Sequence, residues 1–254
     1  MIKYDRLNAI LTLLEKNGSV KVTDLSLMLG VTEETIRKDL DTLENEKKLK
    51  RVRGGAFMPN IKDKEVPVPL RESMYMEEKE VMAKLAIDLI EDSDSIALDS
   101  STTCLAIANQ LLDTQLKITV ITNSLDIFNC LKGNPRIDLI GIGGNFRRVS
   151  HSFVGANAQS DIARYLIDKS FISSSGLSLG IGPTDNSEVE SLVRKQFMIQ
   201  SKQTILVVDH TKFDFRTIHL ISDFSKIQTV ITDQQPINDE WPSFFEEANI
   251  RLIY

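Results

Sequence analysis

Small hydroxyl residues gather at a few points of the chain in a pattern that suits an anion. Asp99-Ser100-Ser101-Thr102-Thr103 follows the apolar run Ser95–Leu98 and opens a helical pattern. The unpaired N–H groups of a helix start, with hydroxyl donors beside them, are matched to a phosphate oxyanion. Comparable clusters are Thr122-Asn123-Ser124, Gly143-Gly144 with Phe146-Arg147 after it, Ser173-Ser174-Ser175-Gly176, and Asp209-His210-Thr211-Lys212-Phe213. Singly, a Ser/Thr run is a helix cap and a Gly pair is a turn. Together they predict one rim that takes a polyhydroxylated, anionic small molecule, and a phosphorylated sugar satisfies every feature. The candidate ligand residues are Asp99, Ser100, Ser101, Thr102, Thr103, Asn123, Gly144 and Lys212.

A second chemistry sits nearer the N-terminus. Lys47-Lys48-Leu49-Lys50-Arg51-Val52-Arg53 holds five positive charges and no acid. The chain as a whole carries −6, yet residues 1–60 have eleven Lys/Arg against nine Asp/Glu, so all the negative excess lies beyond them. Affinity for a phosphate backbone follows local positive surface rather than the whole-chain sum. A small basic head on an acidic body is the organisation this predicts.

The elements that must position these groups can be read from periodicity. Leu7, Ile10, Leu11 and Leu14 give one apolar helix face over about 4–16, ended by Asn17-Gly18. A second helix is expected from a Thr23 cap to Leu29, closed by Gly30. Thr32 then caps a third, with Glu33 and Glu34 in its first turn and Ile36, Leu40 and Leu43 facing inward. Two short helices joined through Gly30-Val31 form a helix-turn-helix. Leu49–Val52, a Gly54-Gly55 turn and Ala56-Phe57 make a basic hairpin after it, which is a wing. Residues 1–57 are therefore expected to be a winged helix-turn-helix that binds double-stranded DNA. Thr32, Thr35, Arg37 and Lys38 would meet the major groove, and Arg51 and Arg53 the backbone or minor groove.

Residues 58–74, with three prolines and mixed charge, are expected to be a linker. From 75 to 254 short apolar strands alternate with helices. Strands are expected at 95–98, 118–122, 137–142, 170–173, 204–208 and 229–232, with helices at 77–90, 102–112, 154–167 and 187–201. That alternation predicts an α/β domain with a largely parallel sheet, in which ligands bind at the carboxyl ends of the strands.

The composition excludes other classes. With 42% hydrophobic and 26% charged residues, neither disorder nor a fibrous repeat fits. No apolar run approaches the roughly 20 residues that span a bilayer. The charged N-terminal helix does not read as a signal peptide, so a cytoplasmic protein with no membrane partner is expected. Cys104 and Cys130 are expected to be buried, reduced thiols. His151, His210 and His219 lack the spacing and companions of a metal site, and no Ser elbow accompanies Asp209-His210. No cofactor and no metal are expected.

The head motif, Thr32-x-x-Thr35-Ile36-Arg37-Lys38-Asp39-Leu40, Leu43 and Leu49-x-Arg51-x-Arg53-Gly54-Gly55-Ala56, resembles the DNA-binding signature of DeoR-family bacterial transcriptional regulators. Arg6, Ile10 and Leu14 fall at its spacing upstream. Arg53 stands where many members have His. The body resembles the effector domain of the same family through Leu98-Asp99-Ser100-x-Thr102-Thr103, Thr122-Asn123-Ser124-Leu125, Gly143-Gly144-x-x-Arg147, Phe153-Val154-Gly155 and Asp168-Lys169-x-Phe171. Asp209 with Lys212-Phe213 and Ile231-Thr232-Asp233 complete the match, and Ser174-Ser175-Gly176 replaces a common Asp-Gly. The resemblance implies a fold similar to ribose-5-phosphate isomerase, a sugar-phosphate-sensing role, and a repressor of a carbohydrate-metabolism operon. Paired heads on repeated half-sites then predict a homodimer or homotetramer.

The rival is a sugar-phosphate isomerase-like enzyme with an accessory DNA-binding head. Isomerisation needs a positioned general base, usually a carboxylate. Ser173–Gly176 supplies none, Asp99 is expected to orient its own loop, and Glu188 and Glu190 are expected on an exposed helix. No catalytic residue is therefore assigned.

Overall fold

A computed structural model describes residues 2–58 and 66–254. The chain forms two compact units, Met1–Met76 and Glu77–Tyr254. The first contains α1 (Lys3–Asn17), β1 (Ser19–Lys21), α2 (Val22–Leu29), α3 (Glu33–Asn45), β2 (Lys50–Val52), β3 (Gly55–Phe57) and α4 (Val68–Ser73). Ile10, Leu14, Leu25, Ile36, Leu40 and Leu43 are fully buried, so the three helices share one core. A buried ion pair crosses it: Arg6 Nε donates to Asp39 Oδ2 at 2.5 Å and Nη2 to Oδ1 at 3.2 Å. The two-pronged bond fixes α1 against α3 in one orientation.

Two details of the head differ from the sequence reading. α2 starts at Val22, with Lys21 at its N-cap, so Thr23 lies inside the helix. The chain enters α2 from β1, which pairs antiparallel with β3 and makes the hairpin a three-stranded sheet of order β1-β3-β2. A Cβ on Gly55 would stand 2.2 Å from the Val20 carbonyl oxygen, so this glycine lets β3 approach β1. The expected linker is also partly structured. Residues 59–65 lie outside the described residues, but Val68–Ser73 is helical, with Val68 and Leu70 buried.

The second unit contains α5 (Met76–Ile87), β4 (Ser95–Leu98), α6 (Thr102–Leu111), β5 (Ile118–Thr122), α7 (Leu125–Leu131), β6 (Ile137–Gly141), β7 (Asn145–Arg147), β8 (Ser152–Val154), α8 (Ala156–Ile162), β9 (Ile167–Ile172), β10 (Gly176–Ser178), β11 (Gly182–Asp185), α9 (Glu188–Gln200), β12 (Ser201–Val207), β13 (His219–Leu220), β14 (Thr229–Ile231), α10 (Glu240–Glu247) and β15 (Arg251–Ile253). The expected helix at 154–167 is instead β8, the shorter α8 and the start of β9. α7, α10 and β15 were not foreseen.

Seven parallel strands form the central sheet in the order β15-β14-β12-β9-β4-β5-β6. Alternate residues of each strand enter different cores, as the two-residue strand period requires. Ile96, Leu98, Val120, Phe171, Ile205 and Val207 pack with α5, α6 and α7. Ala97, Ile121, Ile172, Leu206 and Val208 pack with α8, α9 and α10, around Phe197, Trp241 and Phe245. The result is a three-layer α/β/α domain, buried on both faces as parallel sheets are.

Strand order also locates a crevice. From β4 the chain passes through α6 on one face to β5 on one side; from neighbouring β9 it passes through α9 on the other face to β12 on the opposite side. The two connections part between β4 and β9, which makes the carboxyl ends of those strands the topological switch point. Both cysteines are free; Cys104 is buried, whereas Cys130 is only partly so. Among the described residues, no helix is long and apolar enough to cross a membrane.

Candidate nucleic-acid interface and candidate effector site

In the head, Gly30 closes α2 in a left-handed conformation, its N–H donating to the Ser26 carbonyl. Thr32 caps α3: its Oγ1 accepts from Thr35 N at 3.3 Å and lies 3.0 Å from Thr35 Oγ1. The cap and the Ile36–Leu40–Leu43 inner face set which side of α3 looks outward, and Arg37 and Lys38 are on that side. Each holds an acid one turn earlier, Arg37 to Glu33 at 2.5 Å and Lys38 to Glu34 at 2.8 Å.

The wing arginines differ from each other. Arg53 is exposed beyond β2, its guanidinium 5.0 Å from the centre of the Tyr75 ring. Arg51 is half-buried, pairs with Asp41 of α3, and donates its backbone N–H to Glu44 at 2.8 Å. It therefore fastens β2 to α3. Lys50, next to it, is exposed.

In the second unit the hydroxyl residues open α6 at the switch point. Ser101 caps the helix, accepting from Cys104 N at 3.0 Å. The N–H groups of Thr102 and Thr103 are at the first helical positions, which have no intrahelical acceptor. Ser100, Ser101, Thr102 and Thr103 are all buried. Asp99 orients this loop: Oδ1 accepts from Ser101 N at 2.8 Å, and Oδ2 from Ser173 N of the β9 end at 3.0 Å. Asp99 Oδ2 also accepts from Arg194 Nε at 2.7 Å, and Arg194 pairs with Asp185 as well. Burial pushes the Asp99 carboxyl up, but Arg194 and these donors outweigh it and hold it below the usual range.

Glu190 corrects the sequence reading. Glu188 is exposed, but Glu190 is 1% exposed and belongs to the site. Its carboxylate accepts from Ser100 Oγ at 2.8 Å, Ser150 Oγ at 2.5 Å and Ser152 Oγ at 2.6 Å, with Arg147 Nη1 at 3.8 Å. Burial opposes its charge, yet Arg194 and the three hydroxyls keep its pKa below the ordinary value. Glu190 thus ties α9 to the α6 loop and to the β7–β8 hairpin. It and Arg194 lie four residues apart on the helix face that also carries Val193 and Phe197. An acid and a base sharing an apolar stripe was the available signal, because charges on such a face must be paired.

The remaining candidates are more dispersed. Asn123 follows β5 directly beside Asp99, since Thr122 is in register with Leu98 and bonded to its carbonyl at 2.8 Å. Its Nδ2 donates to the Phe153 carbonyl at 3.0 Å. Gly144 has φ +145°, and a Cβ there would come within 2.8 Å of the Val154 carbonyl oxygen, so it serves the packing of the hairpin on α8. Lys212 follows β12, bonded within its own loop to Asp209 and Thr211, both at 2.9 Å. Among the described residues, no cluster of His, Cys, Asp and Glu has the makings of a metal site.

Two family models match the chain: a DeoR-like helix-turn-helix domain over residues 6–62 and the DeoR C terminal sensor domain over residues 74–234. The protein belongs to the DeoR family. Relatives of this DeoR-family regulator include the uncharacterized transcriptional regulator YulB of Bacillus subtilis, 35% identical over 233 residues that cover 92% of this chain and 90% of YulB. The transcriptional repressor GlcR of the same organism is 31% identical over 253 residues, 100% and 96% of the two chains. A lactose phosphotransferase system repressor of Lactococcus lactis is 32% identical over 237 residues, 92% of each. Among solved structures, ribose 5-phosphate isomerase A of Methanocaldococcus jannaschii is 15% identical, with a TM-score of 0.40 over 55% of each chain. The assignment to the DeoR family does not rest on that likeness. The protein is a transcriptional regulator with a DNA-binding head and a sensor domain.

Proposed function

We propose that this DeoR-family protein is the repressor of a carbohydrate-metabolism operon, and that a phosphorylated sugar at the start of α6 changes its affinity for operator DNA. The observation that carries the sensor reading is the coincidence of the α6 N-terminus, rich in buried hydroxyls, with the topological switch point of the sheet. The repressor names of GlcR and the lactose phosphotransferase system relative support the sugar-operon reading. On the DNA, α3 enters the major groove with Thr32, Thr35, Arg37 and Lys38. Arg53 adds a phosphate contact beside it, while Arg51 holds the wing through Asp41. Two copies at least are required to occupy paired half-sites, as a dimer or tetramer, in the cytoplasm where the DNA is.

The phosphate is held by the Thr102 and Thr103 N–H groups and the Ser101 hydroxyl, with Ser100 holding the loop through Glu190 and Lys212 approaching from the β12 end. Asn123 and the hairpin complete the enclosure. Catalysis is not part of this reading. A general base needs a free lone pair and a pKa near the working pH. Glu190 has three hydroxyl donors on its oxygens and a depressed pKa, so it holds structure instead.

The test is fluorescence anisotropy of the full chain on the DNA upstream of its own gene, at fixed salt, with a panel of sugar phosphates and the free sugars. Tight, salt-sensitive binding altered by one phosphosugar and not by its free sugar is the expected result. Binding indifferent to every phosphosugar would remove the ligand assignment. Activity on a phosphosugar without specific DNA binding would favour the isomerase-like alternative.

A further inference from the structure

Asn123 is 1% exposed, and its side-chain amide is half used. The orientation of that amide is fixed, because the Phe153 carbonyl can only accept and so faces Nδ2. The Phe153 N–H in turn donates to the Asn123 carbonyl at 2.8 Å, which locks the residue under the β7–β8 hairpin. Oδ1 is left buried with no hydrogen-bond partner. A buried carbonyl oxygen without a donor is costly and uncommon.

The neighbouring hydroxyls do not relieve it. Ser100, Ser150 and Ser152 have one proton each, and all three are given to Glu190. The Thr122 hydroxyl is given to the Leu98 carbonyl. Asn123 nonetheless stands one strand from Asp99 and the start of α6, where the N–H groups suit an anion. Adjacent strands are about 4.8 Å apart. From these observations we infer that Asn123 Oδ1 accepts a hydrogen bond from a hydroxyl of the bound ligand, one carried within about three carbons of its phosphoester. The inference rests on the sugar-phosphate reading of the site and narrows it: the ligand is a phosphate ester of a polyol, and neither inorganic phosphate nor a plain alkyl phosphate satisfies the site.

The experiment is calorimetric or ligand-observed NMR titration of the full chain with glycerol 3-phosphate and with n-propyl phosphate, which lacks the hydroxyls. The wild-type protein is expected to prefer glycerol 3-phosphate by about ten- to hundred-fold, the worth of a bond to an otherwise unpaired buried acceptor. In Asn123→Ala that preference should collapse, the ratio of the two affinities falling to within about three-fold of one. Equal affinities in the wild-type protein would overturn the inference and leave the phosphate site standing. So would a variant that loses both ligands in equal proportion, since Asn123 would then only anchor the hairpin. If neither ester binds the wild-type protein, the sugar-phosphate reading itself fails and takes the inference with it. A wild-type ratio near one overturns the inference even where the variant does not fold.

Discussion

Replacing Arg194 by Met tests whether the buried charges at the switch point are held as a unit. The side chain is 6% exposed, and its guanidinium lies between Asp99, at 2.7 Å, and Asp185. Methionine preserves much of the volume but leaves both carboxylates without their cation. Removing one partner of a buried ion pair costs about 3–5 kcal/mol. Asp99 keeps two backbone donors, Ser101 N and Ser173 N, and Asp185 keeps Ser187 N at 2.9 Å. The low end, about 3 kcal/mol, is therefore expected. For a domain of this size that lowers the melting temperature by roughly 6–12 °C. The pH dependence should also change sign. In the wild-type protein the folded pKa of Asp99 is depressed, so its contribution is present above the unfolded value, about 3.9, and is lost as pH falls through the folded value. Without Arg194 burial is no longer outweighed, and the folded pKa rises above the unfolded one. The contribution of Asp99 is then greatest below about pH 4 and declines as pH rises. Calorimetric melts of both proteins at pH 4.5 and 7.5 should show the gap narrowing at the lower pH. A gap that is the same at both, or a loss below about 1 kcal/mol at neutral pH, would refute the view that Arg194 keeps the buried Asp99 carboxylate ionised.

Neutralising the two first-turn acids of α3, Glu33→Gln with Glu34→Gln, should raise affinity for a non-specific duplex by roughly three- to five-fold at low salt, because each intrahelical pair competes with DNA by about 0.3–0.5 kcal/mol. An anisotropy titration reads this directly. Arg53→Ala should reduce the slope of log affinity against log salt by about 1, whereas Arg51→Ala should leave the slope in place and lower the melting temperature of the head. Equal slope changes would mean that Arg51 leaves Asp41 to reach the backbone. Burial raises both thiol pKa values, that of Cys104 far more. An aromatic disulfide reagent at pH 8 should thus titrate Cys130 slowly in the native protein and Cys104 only after denaturant is added.

What was legible in the sequence was local. Helical periodicity, the Thr32 cap and the Gly30 turn are decided within a few residues; α1 and α3 form where they are expected, and α2 ends as expected but starts at Val22 rather than after Thr23. β1 was not legible, because a three-residue strand has no period of its own and is defined by pairing with Phe57, 38 positions away. α4 was hidden by its prolines, which mark a linker in composition yet here stand at the start of a short helix that buries Leu70. In the candidate site, the loops after β4, β5, β9 and β12 could be read because small hydroxyls after apolar runs mark strand ends. Glu190 and Arg194 could not, since charged residues on a helix read as solvated unless their position on the apolar stripe is weighed. Gly144 reads as part of the ligand rim in the sequence, where Gly-Gly carries no sign of whether a chain or a ligand makes the close approach; in the structure the Val154 carbonyl makes one such approach.

The interior position of β4, beside the central strand β9, bears on the order in which the protein becomes competent. The head closes through contacts that end with α4, at Ser73. The site at the end of β4 needs Ser173, Glu190 and Arg194, which lie 74 to 95 residues further along than their partners. Non-local pairing is slow, because loop closure is completed before its contacts form. During vectorial synthesis the reader of DNA is thus complete while the sensor is still an open half-sheet. A chain truncated between β6 and α9 would retain a folded head with no means of answering a ligand, so frameshifts in that interval are expected to yield deregulated DNA binders or aggregates rather than silent nulls.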